Sequence, residues 1–293
     1  MTRDAARGEA GAGPTDRARA RVLISVADLV RELNGPAAPQ LLDIRWNLGA
    51  PEGAGRVRYA EGHLPGAAYL DLEEVLTGPS TDASLGRHPL PDAERVADGL
   101  ATAGVDAHRP IVVYDQPGSF AAGRAWWVLV WLGLNVRVLD GGIDAWLAAG
   151  GDVEAGDPAP VPVPAARLTA GHLPTLDADQ VAAFPGVLID VRAPERFRGE
   201  VEPLDPRAGH IPGAVNRPVT GFWDDEGRLP PPERLRQLLD LPGDEPVAVY
   251  CGSGVSAAQV LLALASLGVD AALYPPSWSG WSSDPDRPVA VGE

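Results

Sequence analysis

The chain has 293 residues, enough for two ordinary domains or one large one, and 45% of them are hydrophobic, so a sizeable core can be buried. A formal net charge of −16 argues against nucleic acid and anionic membrane surfaces as partners, because both require basic patches. A single cysteine, Cys251, excludes an internal disulfide and points to a reducing, cytoplasmic setting in which a free thiol stays reactive.

Residues 1–20 are rich in Ala, Gly, Arg and Asp and lack the apolar core of a secretory leader, so they are expected to form a disordered tail. No apolar stretch reaches the length of about 18 residues that a membrane span needs. From Ser25 to Leu33 the spacing predicts a helix, with Ser25 as N-cap and Val26, Leu29, Val30 and Leu33 as its apolar positions. Leu41 to Ile44 is apolar without alternation, as expected of a strand covered on both faces. A second strand is predicted at Ile111–Tyr114, ending at Asp115. A helical pattern follows in which Trp126, Trp127 and Trp131 are expected in the core or at a domain interface. Gly141-Gly142 lacks the spaced third glycine of a dinucleotide fingerprint.

The Pro/Gly-rich stretch after Gly150 reads as a linker over 151–171, between a first domain at 21–150 and a second at 172–293. The two domains repeat one plan. Leu41-Leu42-Asp43-Ile44-Arg45 matches Leu188-Ile189-Asp190-Val191-Arg192, and 20 residues after each Asp stands a His, His63 or His210, in Gly-His-Leu/Ile-Pro-Gly-Ala. Leu132-Gly133 and Leu267-Gly268 correspond, each with a Trp (Trp146 or Trp281) 13 residues after the Gly. A repeat of about 150 residues signals a duplicated domain rather than a solenoid. Alternating short strands and helices make each copy an α/β domain with a mostly parallel sheet flanked by helices. Because His63 and His210 occur in both copies, their expected role is structural, as is that of Asp43 and Asp190. Trp278 and Trp281 follow the last strand and are expected either to wall a pocket or to pack in the core.

Cys251 closes the apolar run Val247-Ala248-Val249-Tyr250 and precedes Gly252-Ser253-Gly254-Val255-Ser256-Ala257, after which a helical pattern begins. That order places a thiol at the carboxyl end of a strand and at a helix N-terminus, where free N–H groups and the dipole favour an anion. A thiolate is such an anion, and such placement turns a cysteine into a nucleophile. The equivalent position in the first domain is Asp115, so that domain lacks a nucleophile. Ala257 stands six residues after Cys251, where a cysteine phosphatase needs an arginine to clamp phosphate, so phosphate-ester hydrolysis is not expected. Five histidines and one cysteine at these spacings offer no metal cluster.

The Asp-x-Arg strand ends, the two Gly-His segments, Leu139-Asp140-Gly141-Gly142 before Trp146, and the Cys loop together resemble the two-domain rhodanese family of sulfurtransferases over roughly residues 21–290. The resemblance implies two tandem rhodanese-like domains, only the second catalytic, and no cofactor. It implies that Cys251 attacks a donor sulfur, becomes a persulfide and passes the outer sulfur to an acceptor, either cyanide or a thiol such as thioredoxin or a low-molecular-weight thiol. Gly252 and Gly254 are expected to give the loop its close, partly positive-φ backbone, with Val255 and Ser256 completing the wall around the sulfur. The loop has no Lys, which the thiosulfate form uses, and resembles instead the 3-mercaptopyruvate form. In that form Arg196 would bind the donor carboxylate, and Asp205 stands where a second arginine is expected, with Arg207 two residues on as its substitute. Ser253 would work with His88 and Glu73 of the first domain in proton handling, with Asp71 close by as the other acid. Two rivals keep the persulfide: a thiosulfate:cyanide sulfurtransferase, and a sulfur carrier fed by a protein partner.

Overall fold

The computed structural model describes residues 13–241, 243 and 245–293. The chain opens with α1 (Pro14–Val22), β1 (Leu23–Ile24), α2 (Val26–Leu33), β2 (Gln40–Asp43), α3 (Ala54–Glu61), β3 (Ala68–Tyr69) and α4 (Leu72–Val75). Next come α5 (Ala93–Thr102), β4 (Ile111–Tyr114), α6 (Ala121–Trp131), β5 (Val136–Leu139) and α7 (Gly142–Ala148). The second copy contains α8 (Ala178–Ala182), β6 (Val187–Asp190), α9 (Pro194–Phe197), β7 (Val215–Asn216) and α10 (Pro232–Leu239). It ends with β8 (Val247–Tyr250), α11 (Val255–Ser266), β9 (Ala271–Leu273) and α12 (Ser277–Ser283).

Two all-parallel sheets result, ordered β1-β5-β4-β2-β3 and β7-β6-β8-β9. Read from the β3 and β7 edges they follow one plan, and what is strand β1 in the first sheet shrinks to a single bridge, Thr175 to Leu273, in the second. The central strands β4 and β8 are buried at every residue, as the unalternating apolar runs require of strands covered on both faces. Ser25 caps α2 by accepting from the Asp28 N–H, and Leu29 is fully buried on its inner face.

The repeated motifs are structural couplings. Asp43 takes the Arg45 guanidinium through both carboxylate oxygens, and Arg45 Nη2 also donates to Gly62 O at 2.6 Å. Asp190, Arg192 and Gly209 O repeat this in the second domain, with Arg192 to Gly209 O at 2.7 Å. Each strand end is thereby tied to the turn that holds His63 or His210. These histidines are buried, with Nδ1 at 2.9 Å from Tyr59 O and 2.8 Å from Phe197 O, and each ring stacks on the side chain whose carbonyl it meets.

The expected tail over 1–20 is corrected in its last part; residues 1–12 lie outside the described residues. Pro14–Val22 is helical, packs on α11, and sends Arg19 to the carbonyls of Leu229 and Pro230 and to Asp140. Composition concealed this helix because what orders it is distant in sequence. The linker is strapped to the first domain: Glu154 pairs antiparallel with His63, Asp157 bonds Arg56, and Val163 N–H donates to Ala101 O.

The domains meet along α6 and α11, the helices that follow the equivalent strands β4 and β8. They approach closely because Gly123 presents no side chain: a β-carbon there would lie 2.7 Å from Gln259 Cα. Trp126 and Trp127 are buried in this region, while Trp131 is half-buried against it. No helix among the described residues is long and apolar enough to cross a membrane.

Candidate active site

Cys251 follows β8 directly and is 1% exposed. The Gly254 N–H donates to its Sγ at 3.0 Å, and Gly254 is the left-handed N-cap of α11, at φ 83°. The sulfur therefore sits against the N-terminus of a 12-residue helix, among groups that receive negative charge. The start of α12 closes the loop from the other side. Cys251 N–H donates to Ser277 Oγ at 3.2 Å, while the Trp278 and Ser279 N–H groups donate to the carbonyls of Cys251 and Gly252, both at 2.9 Å. Ser277 itself takes a positive φ of 54°, strained for a non-glycine residue, and its Oγ lies 3.9 Å from Sγ. The sequence offered no signal for Ser277.

Only Gly254 of the two loop glycines has a positive φ. Gly252 instead sits close under two guanidinium groups, where a β-carbon would lie 3.0 Å from Arg87 Nη2. Val255 turns its side chain into the core, and Ser256 is half-buried in the first turn of α11.

Three of the expected residues form a chain across the domain boundary. His88 Nδ1 lies 2.7 Å from Ser253 Oγ, and His88 Nε2 lies 3.1 Å from Glu73 Oε1. His88 and Ser253 are buried, and Trp46 meets the imidazole edge-on. The bond to His88 holds the Glu73 carboxyl below the usual carboxylate range. Asp71 has other work: it caps α4 by accepting the N–H groups of Glu73 and Glu74, and it receives Tyr69 OH at 3.1 Å. Glu73, not Asp71, is therefore the acid that meets His88.

Arg196, at the end of α9, bonds Glu202 Oε1 at 2.6 Å and Asp205 Oδ2 at 3.1 Å. Arg207 is corrected as the second clamp. Its guanidinium donates to the carbonyls of Trp281, Ser282, Asp284 and Arg287, so it caps the C-terminal end of α12. The arginine that stands beside Arg196 is Arg87 of the first domain, bonded to Asp205. Its signal was adjacency to His88, which sequence spacing alone does not turn into a position.

A second missed residue is Arg124, fully buried in α6. It donates to Gly254 O at 3.3 Å and to the carbonyls of Leu76, His88 and Pro89 at 3.1–3.2 Å. It pins the His88 segment and the Cys loop to one another. Burial lowers its guanidinium to about 10, which leaves it charged at neutral pH. A lone charge inside an otherwise apolar helix was its legible signal.

In the first domain the position of Cys251 belongs to Asp115, which accepts the Ala122 N–H at 2.9 Å and cannot carry sulfur. Burial pushes its carboxyl up to about 7.

The Rhodanese-like domain family matches residues 25–149 and 175–284. The chain belongs to this family and is a two-domain sulfurtransferase. It is 45% identical over 284 residues to the "Putative thiosulfate sulfurtransferase SseB" of Mycobacterium tuberculosis, covering 94% of this chain and 99% of that one. It is 43% identical over 293 residues to the "Probable 3-mercaptopyruvate sulfurtransferase" of Pseudomonas aeruginosa, covering 92% and 98%. Among solved structures, the 3-mercaptopyruvate sulfurtransferase SseA of Escherichia coli superposes with a TM-score of 0.74 at 32% identity, covering 87% of this chain and 98% of that one.

Proposed function

We propose that the protein transfers sulfane sulfur from 3-mercaptopyruvate to a thiol or cyanide through a persulfide on Cys251. The second domain, 172–293, carries the nucleophile, and the first, 21–150, contributes His88 and Glu73. In the first half-reaction the Cys251 thiolate attacks the donor sulfur, an S–S bond forms, and the C–S bond breaks with its electron pair going to carbon. The leaving group is the enolate of pyruvate, which must take a proton at that carbon. In the second half-reaction an acceptor thiolate, or cyanide, attacks the outer sulfur and the electron pair returns to Cys251.

The observation that carries this reading is the Ser253–His88–Glu73 chain beside the buried sulfur. With the Nε2 proton directed at the Glu73 carboxylate, Nδ1 accepts from the Ser253 hydroxyl, and a proton can travel along that line to the leaving carbon. Thiosulfate would leave as sulfite, which needs no proton, so a relay at this point serves the carbon–sulfur donor. The Pseudomonas relative's name agrees with this reading.

The second reading is thiosulfate as donor, favoured by the name of the Mycobacterium relative. The chain contains no lysine, so arginine is the permanently charged side chain left to pair with that dianion. Steady-state kinetics with both donors separate the two. A higher kcat/KM for 3-mercaptopyruvate is expected, and a kcat/KM for thiosulfate well above it would refute the proposal. Reducing cytoplasm is the compartment this chemistry suits, because a lone thiol persists there. The acceptor we favour is a small thiol or a thioredoxin-like protein.

A further inference from the structure

Arg87 and Arg196 come from different domains yet share one carboxylate. Arg87 Nη1 bonds Asp205 Oδ1, and Arg196 Nη2 bonds Asp205 Oδ2 at 3.1 Å. The Asp205 side chain is only 2% exposed, so it is a buried bridge between the domains. Arg196 gives its Nε and Nη2 to Glu202 as well, at 3.2 and 2.6 Å. Among the described residues, Arg87 Nη2 and Arg196 Nη1 have no hydrogen-bond partner. These are the nitrogens that face the Cys loop: a β-carbon on Gly252 would lie 3.0 Å from the first and 3.5 Å from the second. Gly252 lacks that carbon, so the two donors face bare loop backbone beside Cys251.

Charge in this cluster is balanced. Arg87, Arg192 and Arg196 face Asp190, Glu202 and Asp205, three against three. Burial pushes the Asp205 carboxyl up even with two guanidinium groups beside it, so solvent contributes little to its stabilisation.

We propose that Asp205 is a positioning residue that assembles Arg87 and Arg196 into one anion-binding fork over Cys251 and, by cancelling a positive charge there, selects a singly charged donor over a dianion. The donor's carboxylate lies against Arg87 Nη2 and Arg196 Nη1. This specificity rests on the donor reading above, whereas the fork itself does not.

Cys251 is the only cysteine, so its alkylation reports on the site without any sulfur donor. Iodoacetate carries one negative charge and iodoacetamide none, and the ratio of their rates on the full chain cancels the fraction of thiolate. Asp205→Asn is expected to raise the iodoacetate-to-iodoacetamide ratio about tenfold, and Arg87→Gln to lower it by a similar factor, as expected for one unit of charge at a partly screened site. Asp205→Asn is also expected to raise kcat/KM for thiosulfate relative to 3-mercaptopyruvate about tenfold. An alkylation ratio unchanged in both folded variants overturns the fork. Should Asp205→Asn fail to fold, Arg87→Gln alone decides. A shifted alkylation ratio with unchanged donor selectivity overturns the charge selection. If the ratio shifts as stated but neither donor is turned over, the fork stands and the donor reading of the preceding subsection fails.

Discussion

At the scale of single residues, the site divides into groups that react and groups that aim them. Cys251 announced itself through the Gly-rich turn before a helix, a local pattern that sequence displays openly, whereas the role of Ser253 came from the family resemblance. His88 and Glu73 were reachable only through family resemblance, because 165 residues separate His88 from Ser253 and no local rule brings them to 2.7 Å. Arg207 failed as a clamp for the same reason in reverse: counting along the chain cannot show that three carbonyls at the end of α12 and that of Arg287 beyond it claim its guanidinium. If His88 relays the proton to the leaving carbon, His88→Gln lowers kcat/KM for 3-mercaptopyruvate about 10²-fold, the usual size of a general acid–base contribution. Transfer from thiosulfate falls much less, and equal losses with both donors would reduce His88 to a structural role. Asp115 supplies a stability test. Its folded-state value, about 7, lies above the ordinary 3.8, so the folded state binds more protons and stability falls as pH rises between those values. Asp115→Asn removes the buried charge, so its gain in Tm over wild type is expected to be larger at pH 8 than at pH 5. A gain that does not grow with pH contradicts this.

At the scale of elements, the strands and their helices follow from short apolar runs, and the α2 cap at Ser25 was readable residue by residue. Helix α1 was not, since its Ala/Arg-rich sequence gives no apolar stripe and its order comes from α11, Asp140 and the carbonyls of Leu229 and Pro230. The Cys loop depends on the way α11 begins. Gly254 holds φ at 83°, and a β-carbon there would lie 2.7 Å from Pro275 O. Gly254→Ala therefore places a side chain in a left-handed conformation, which costs about 1–2 kcal/mol, and forces the loop against the turn before α12. Denaturant melts should show a loss of at least that size. Sulfur transfer should fall as well, because the N–H that meets Sγ belongs to the displaced residue. Wild-type stability together with wild-type turnover would mean that the loop geometry is not needed.

At the scale of the whole molecule, the duplication leaves two copies of one plan with different residues at the equivalent strand ends. Each copy ends a central strand at the same point of the plan, but Asp115 leaves the first without a nucleophile. What that domain brings to the Cys loop is His88 with Glu73, the relay of the proposed mechanism, with Arg87 and Arg124 alongside. The packing of α6 on α11 sets the distance between the halves. The repeat was legible in sequence, whereas the pairing of these helices through Gly123 was not, because a glycine inside an apolar helix does not reveal what approaches it. Gly123→Val inserts a side chain where only 2.7 Å separates the β-carbon position from Gln259 Cα, and overpacking of that kind costs about 1–3 kcal/mol. It is expected to lower kcat/KM by more than it lowers the rate of Cys251 alkylation by iodoacetamide, since the proposed relay depends on the Ser253–His88 contact across the boundary and the sulfur does not. Equal effects on both would argue that the domains act independently.

The central claim is that Cys251 takes sulfur from 3-mercaptopyruvate. Intact-mass spectrometry of the full chain, mixed with 3-mercaptopyruvate and no acceptor, tests it most directly. A gain of one sulfur atom on Cys251, with one pyruvate released per chain and the mass restored on adding a thiol, is predicted. No gain with 3-mercaptopyruvate, or a gain with thiosulfate alone, would contradict it.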